Sequence, residues 1–169
     1  NVEGNEINPL GGSCHYDGTI LRLSLPKPLW RKDKILLEIE WEFTMPAKTQ
    51  IRVGKYSDKT WFIGYWYPQI AVFDDLYGWE EFPYVGLHEF YSAFADFDVK
   101  ITTPAKNLVW ATGVWQNPDS VLNKQYLDRY KKALNSSKVV KIVEEKDLYE
   151  DITQSATTNT WYFKAENVT

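Results

Sequence analysis

The sequence predicts a mainly β protein: an antiparallel β-sandwich or a saddle-shaped sheet with one short helical insertion. Several segments alternate apolar and polar residues with the period of two that is typical of half-buried strands. Aromatic residues, which favour strands, are frequent, with 8 Trp, 11 Tyr and 8 Phe among 169 residues. The strand segments do not alternate regularly with helices, and this favours antiparallel layers over a parallel sheet.

Five segments are predicted as strands. The clearest is KILLEIEWEF, in which apolar residues alternate with three glutamates and a leucine. Prolines end two of the others, because proline cannot donate to a strand ladder. A glycine interrupts LVWATGVW and suggests a bulge there. The five segments are residues 34–43, 19–25, 97–104, 108–115 and 160–166.

One helical insertion is predicted over about 118–135. Asn117 could cap it, Pro118 suits the first turn, and Asp119 is favourable near the positive end of a helix. Apolar and aromatic residues then recur every four positions, as on one face of a helix. The next segment, SKVVKIVEEKDL (137–148), fits either a continuation of the helix or a short strand.

Length and charge limit the function classes. A chain of 169 residues fits one domain, so residues 1–169 are predicted to form a single β domain. The formal net charge of -4 argues against non-specific binding of nucleic acid, which needs a basic face. No apolar run approaches the ~20 residues of a membrane span. Cys14 is the one cysteine, so an intrachain disulfide is excluded.

The stretch GLHEFYS (86–92) contains half of a zinc-protease signature. His88-Glu89 begins the pattern H-E-x-x-H, but Ser92 stands where the second histidine belongs. A catalytic zinc usually has three protein ligands, and His15 is the one other histidine in the sequence. The sequence therefore predicts no metal site and no catalytic residue in this chain.

Paired acids offer a different chemistry. Asp74-Asp75 and Glu80-Glu81 could serve a glycosidase, which needs two carboxyl groups on either side of a sugar. The alternative is that these acids form turns or are solvated, and LYGW after Asp75 does suggest a turn. The surrounding residues 60–91 are dense in aromatic rings and could form either a ligand-binding rim or a core.

Residues 66–113 resemble the amino-terminal domain of the gluzincin metallopeptidases, the family of aminopeptidase N and leukotriene hydrolase, in its Bacteroides-like branch. The resemblance covers most of the chain, from about residue 18 to the end. It is carried by motifs in a fixed order: Tyr67-Pro68, Ile70-Ala71, Asp74-Asp75, Gly78-Trp79, Glu89-Phe90-Tyr91, FADFDVKITTP (94–104) and VWATG (109–113).

The resemblance implies a non-catalytic domain beside a catalytic one. The family's first domain packs on a thermolysin-like domain that carries H-E-x-x-H, a distant Glu and the zinc. That catalytic domain would follow Thr169, so this chain is expected to be a piece of a larger zinc metallopeptidase. Its expected partners are its own catalytic domain and a peptide substrate, and its expected location is periplasmic or extracellular, after removal of a signal. No cofactor is expected in this chain.

The resemblance also implies a set of site residues. The residues expected at the wall of the substrate cleft are Tyr67, Pro68, Gln69, Asp74, Asp75 and Trp79. In the family, a Gln or Glu just before this region binds the free amine of the substrate; the neighbourhood here, WFIGYWYP, has neither, so that role is assigned to no residue. The alternative function is a carbohydrate-binding β-sandwich module, which the many Trp and Tyr residues would suit.

Overall fold

The computed structural model describes residues 2, 4–8, 12–48, 52–85 and 91–169. Strands account for 31% and helices for 13% of the structure, and the sheets are antiparallel, so the predicted mainly β class is confirmed. The chain forms two compact units, Asn1–Ala93 and Phe94–Thr169. His88 and Glu89 lie outside the described residues, so the half signature has no structural description. No helix in the described ranges is long and apolar enough to cross a membrane.

The described residues of the first unit, Asn1–Ala93, form three antiparallel hairpins. The first two close through two-residue loops, Gly18-Thr19 and Asp58-Lys59, as short hairpins commonly do. The predicted strand at residues 19–25 is confirmed as one arm of the first hairpin. In chain order the strands are β1 (Cys14–Asp17) with β2 (Ile20–Leu23), β3 (Val53–Ser57) with β4 (Thr60–Ile63), and β5 (Phe73–Asp74) with β6 (Gly78–Trp79).

The prediction of a strand at residues 34–43 is wrong. Within the described residues, the β pairing of this segment is a single isolated bridge between Leu37 and Val2. Trp41 instead donates its indole N–H to the carbonyl oxygen of Trp66 at 2.9 Å. Alternation shows which side chains a strand would bury, but a strand forms only where a second strand lies alongside it.

The second unit, Phe94–Thr169, is built on a three-stranded antiparallel sheet in the order β7-β9-β8. The predicted strands at 97–104 and 160–166 are confirmed, with Val99 opposite Phe163. The segment 108–115 contributes only a two-residue strand, because Gly113 (φ +101°) turns the chain just before it. The strands are β7 (Ala95–Pro104), β8 (Val114–Trp115) and β9 (Thr158–Val168).

The predicted helical insertion is present but divided. Helix α1 spans Pro118–Val121 and helix α2 spans Lys124–Leu134. They separate at Leu122, which has an extended backbone and forms a bridge with Thr153. The ambiguous segment 137–148 forms no strand, and a 3-10 helix, Glu145–Tyr149, begins near its end.

Asn117 precedes α1 as predicted, but its side chain makes no capping bond to the helix. Its Nδ2 donates to the carbonyl oxygen of Thr160 at 2.9 Å. Its Oδ1 accepts from the backbone N–H of Tyr162 at 3.0 Å and from the indole N–H of Trp115 at 2.9 Å. The amide therefore binds the free side of β9 rather than the helix end.

The core of the second unit lies between one face of the sheet and the helices. Trp161 is 1% exposed and Tyr126 on α2 is fully buried. Trp115 joins strands and helix, since its ring stacks on Trp161 with centroids 4.8 Å apart and meets Tyr130 edge-on at 5.3 Å. The buried cluster is Trp115, Val121, Leu122, Tyr126, Tyr130, Ile152, Trp161 and Phe163.

A partly buried ion pair connects the 3-10 helix to α2. Arg129 donates to a carboxylate oxygen of Asp147 at 2.5 Å and to the carbonyl oxygen of Ile142 at 3.1 Å. The same carboxylate accepts the backbone N–H of Glu144 at 2.8 Å. The bond from Arg129, with the backbone bond, holds the pKa of Asp147 below its ordinary value of 3.8.

The ion pair between Arg129 and Asp147 should make the protein less stable in acid. Because the pKa of Asp147 is lower in the folded state, its ionised carboxylate contributes to the free energy of unfolding. That contribution is complete above the unfolded-state pKa, about 3.9, and is lost as pH falls through the folded-state pKa. The unfolding midpoint should exceed that of Asp147→Asn at neutral pH, and the two should converge in acid. Urea denaturation at several pH values measures this. Asp128→Asn, which removes an exposed pair with Lys124 on the same helix, should change little at any pH. A difference in unfolding midpoint between wild type and Asp147→Asn that stays the same at every pH would contradict this role of the Arg129–Asp147 pair.

Candidate functional site

A cavity of about 570 Å3 lies on the first unit. Such open, mostly apolar concavities with a few polar groups are the usual form of ligand sites. Its lining comes from the first hairpin, from β3, from the chain between β4 and β5, from the chain after β6, and from Tyr91. The lining residues are Thr19, Ile20, Val53, Tyr65, Tyr67, Pro68, Gln69, Ile70, Ala71, Glu80, Phe82, Tyr84 and Tyr91.

Backbone contacts hold these segments beside one another. The N–H of Gly64 donates to the carbonyl oxygen of Arg52 at 2.8 Å, and a Cβ on Gly64 would lie 2.9 Å from that oxygen, so a glycine allows the approach. The chain then leaves β4 and enters the cavity wall. On the other side, the N–H of Tyr84 donates to the hydroxyl of Thr19 at 2.8 Å. These contacts place the aromatic residues before β5 and after β6 around one space.

Gln69 is oriented on both sides of its amide. Its Nε2 donates to the hydroxyl oxygen of Tyr67 at 3.2 Å, and its Oε1 accepts from the hydroxyl of Ser92 at 2.9 Å. Tyr67 and Gln69 both line the cavity, with Pro68 between them. The segment therefore presents a fixed polar group at a mostly apolar wall.

Asp74 does not line the cavity, but it accepts a hydrogen bond from Tyr91, which does. Its Oδ1 accepts the backbone N–H groups of Leu76 at 2.9 Å and Tyr77 at 2.7 Å, which closes the turn between β5 and β6. Its Oδ2 accepts the hydroxyl of Tyr91. The bond from Tyr91 lowers the pKa of Asp74, and the carboxylate raises the pKa of Tyr91 to about 12. Asp74 is therefore ionised at neutral pH, and Tyr91 is protonated.

The six residues expected at a cleft wall thus fall into two groups. Tyr67, Pro68 and Gln69 line the cavity. The other three belong to the β5–β6 hairpin and its turn: Asp74 reaches the cavity only through Tyr91, Asp75 is exposed in the turn, and Trp79 packs edge-on against Phe73 at 5.1 Å. The cleft-wall prediction did not include Glu80, Phe82, Tyr84 and Tyr91, which also line the cavity. Glu80 was considered only as a glycosidase acid, and the three aromatic residues belong to the aromatic-rich residues 60–91.

Two of the acids considered for glycoside hydrolysis are held in other contacts, Asp74 in a turn and Glu81 in an ion pair. Glu81 forms an ion pair with Arg22 at 2.9 Å, which lowers the pKa of Glu81, and the pKa of Asp74 is lowered as well. A glycosidase needs one carboxyl group with a raised pKa to protonate the leaving oxygen. The turn that LYGW predicts after Asp75 is present. In the ranges that the structure describes, no group of three or more His, Cys, Asp or Glu could hold a metal ion.

No protein-family model, no curated protein and no solved structure matches the chain.

Proposed function

We propose that this chain is the non-catalytic amino-terminal β domain of a zinc aminopeptidase-like protein. It forms part of the wall of the substrate cleft and packs on the catalytic domain of the same protein. That catalytic domain supplies the zinc, the H-E-x-x-H helix and the hydrolysis of the peptide bond. A periplasmic or extracellular location belongs to the same proposal.

The observation that carries the proposal is the position of Tyr67, Pro68 and Gln69. The motif resemblance selects these residues for a substrate-facing wall, without any knowledge of their surroundings. The three line one cavity together with Ile70 and Ala71, which belong to the same motif. A wall built this way binds and orients a peptide and contributes no reacting group.

Exposed apolar side chains on the first unit support packing against another domain. Trp30 and Ile70 are each 74% exposed, and Tyr77 is 77% exposed. A large contiguous apolar patch is typical of a region that meets another protein surface, and the proposal requires these side chains to belong to one such patch. Residues 30, 70 and 77 are well separated in sequence, so the apolar surface is not confined to one loop.

The proposal predicts how activity divides between the parts of the protein. The 169-residue chain alone should bind no stoichiometric zinc and hydrolyse no aminoacyl-arylamide, whereas the protein that includes the region after Thr169 should do both. In that longer protein, Tyr67→Ala should raise KM several-fold with kcat and zinc content little changed, because it removes binding surface and no reacting group. Metal analysis and initial-rate kinetics measure these quantities.

A matched control is available on the second unit. Val139 is 95% exposed, so Val139→Ala should leave KM unchanged. One zinc per chain with peptidase activity in the 169-residue chain would refute a non-catalytic role. An equal change of KM in Tyr67→Ala and Val139→Ala would refute the cleft wall.

A carbohydrate-binding module is the second candidate. The observation that favours it is the cluster at the β5–β6 hairpin, where Phe73 and Trp79 meet edge-on and Tyr77 is exposed between them. Exposed rings of this kind can stack on sugar rings. Titration with glycans, followed by tryptophan fluorescence, separates the candidates: saturable binding at micromolar affinity that Trp79→Ala abolishes would favour the module.

A further inference from the structure

In the part of the chain that the structure describes, the cavity on the first unit combines aromatic residues with a single charged residue. Five of its lining residues are aromatic: Tyr65, Tyr67, Phe82, Tyr84 and Tyr91. Among the described residues that line it, Glu80 is the one charged side chain. Rings whose faces carry partial negative charge, placed with one carboxylate, form an environment that favours a cation.

Two of the hydrogen-bonding groups that line the cavity, Tyr91 and Glu80, favour the same kind of ligand. Tyr91 donates its hydroxyl proton to Asp74, so its oxygen can offer only lone pairs to a ligand. Glu80 accepts the backbone N–H of Phe82 at 3.1 Å through Oε1, and a carboxylate has about four acceptor positions, so it can accept further donors. A ligand that carries several N–H donors and no acceptor fits both groups.

We infer that this cavity binds a guanidinium group, the side chain of an arginine in a peptide. A guanidinium is planar, stacks on aromatic faces, and has five N–H donors in a rigid fork that matches a carboxylate. An alkylammonium has the charge but not the plane, and a quaternary ammonium lacks the N–H groups. The inference rests on the proposed function only in assigning the arginine to a peptide substrate.

The first unit already contains one contact of this type. The guanidinium of Arg52 lies over the ring of Tyr65, 5.1 Å from its centroid, and also donates to the hydroxyl of Tyr65. Arg52 brings a positive charge near the cavity, which opposes a second guanidinium. Among the described residues, Glu80 in the lining and Asp74 behind Tyr91 carry negative charges that oppose this effect. It follows that Arg52→Gln should strengthen binding.

The test uses a probe with no free amine and no scissile bond. N-acetyl-L-arginine amide is titrated into the 169-residue chain by calorimetry, beside N-acetyl-L-citrulline amide, which has the same shape without the charge, and N-acetyl-L-lysine amide. We expect saturable one-to-one binding of the arginine probe, weaker binding of the lysine probe, and at least about tenfold weaker binding of the citrulline probe, since charged hydrogen bonds are about twice as strong as neutral ones.

Variants locate the binding. Glu80→Gln should weaken binding of the arginine probe at least about tenfold, because the charge is lost and the size is kept. Glu81→Gln, the neighbouring acid that is paired with Arg22, should leave the affinity within about twofold, since it does not line the cavity. Phe82→Leu should weaken binding by removing one ring, and far-UV circular dichroism checks that each variant folds.

Three results would overturn the inference: no saturable binding of the arginine probe, equal binding of the citrulline probe, or equal affinity of Glu80→Gln and wild type. None of them bears on zinc content or on aminoacyl-arylamide hydrolysis. A failure of this inference is therefore distinguishable from a failure of the proposed function.

Discussion

Replacing Trp161 with alanine should lower the free energy of unfolding of the second unit by roughly 3–5 kcal/mol, the usual cost of removing a large buried aromatic side chain. Trp161 is 1% exposed, and its ring stacks on Trp115 with centroids 4.8 Å apart. Because Trp115 also contacts Tyr130 on α2, the cavity left by the alanine would loosen both the sheet and the helix. Guanidinium chloride denaturation, followed by circular dichroism, measures the change.

The next residue along β9 provides the control. Tyr162 is also aromatic but faces the other side of the sheet, where it donates to Asp98 at 2.9 Å and lies beside Lys100 and Lys164. Tyr162→Ala removes a ring that is not part of the buried cluster, so we expect a loss of about 1 kcal/mol or less. Similar losses for the two variants would mean that the core does not lie on the face assigned to it.

Gly113→Ala is the second substitution with a large expected effect. Gly113 has φ +101°, and a Cβ at this position would lie 2.3 Å from the carbonyl oxygen of Lys164 and 2.7 Å from its carbonyl carbon. Both atoms belong to the backbone of β9, so the contact cannot be relieved by a side-chain rotation. We expect a loss of more than about 2 kcal/mol, because the strained backbone alone costs roughly 1–2 kcal/mol and the clash adds to it.

Gly12→Ala separates this effect from the general cost of changing a glycine. A Cβ on Gly12 would meet no atom within 4 Å, and its φ is outside the left-handed region. The same denaturation experiment should show a change within about 0.5 kcal/mol for Gly12→Ala. The pairing of β8 with β9 is tested directly by hydrogen exchange at Gln116, whose N–H bonds the carbonyl oxygen of Tyr162 at 2.7 Å. Unchanged protection there in Gly113→Ala would contradict the predicted clash.

The sequence correctly predicted those strands in which alternating apolar residues coincide with pairing to a second strand. Residues 160–166 alternate because Trp161, Phe163 and Ala165 face the core, and the strand pairs along its length with residues 97–104. Residues 34–43 alternate more regularly and yet form no strand. The difference lies in the neighbouring chain, which a local pattern does not specify.

The other features that the sequence did not predict depend on contacts between residues that are distant in the sequence. The helix over 118–135 was predicted, but its division at Leu122 depends on a bridge to Thr153. Tyr67, Pro68 and Gln69, which a motif predicted at the wall of a substrate cleft, line the cavity, whereas the prediction of a cleft wall did not include Tyr91. The place of Tyr91 in the lining depends on a bond to Asp74, which the turn before β6 positions.

The side chain of Asn117 has a consequence for how the protein behaves at high concentration. An exposed strand edge is a template on which a second molecule can add a strand, and repeated addition leads to aggregation. The short strand β8 covers only two residues of β9. Beyond it, the amide of Asn117 offers Thr160 and Tyr162 the same donor and acceptor that another polypeptide would bring. One side chain thus occupies the backbone groups of Thr160 and Tyr162 on the part of the sheet edge next to β8.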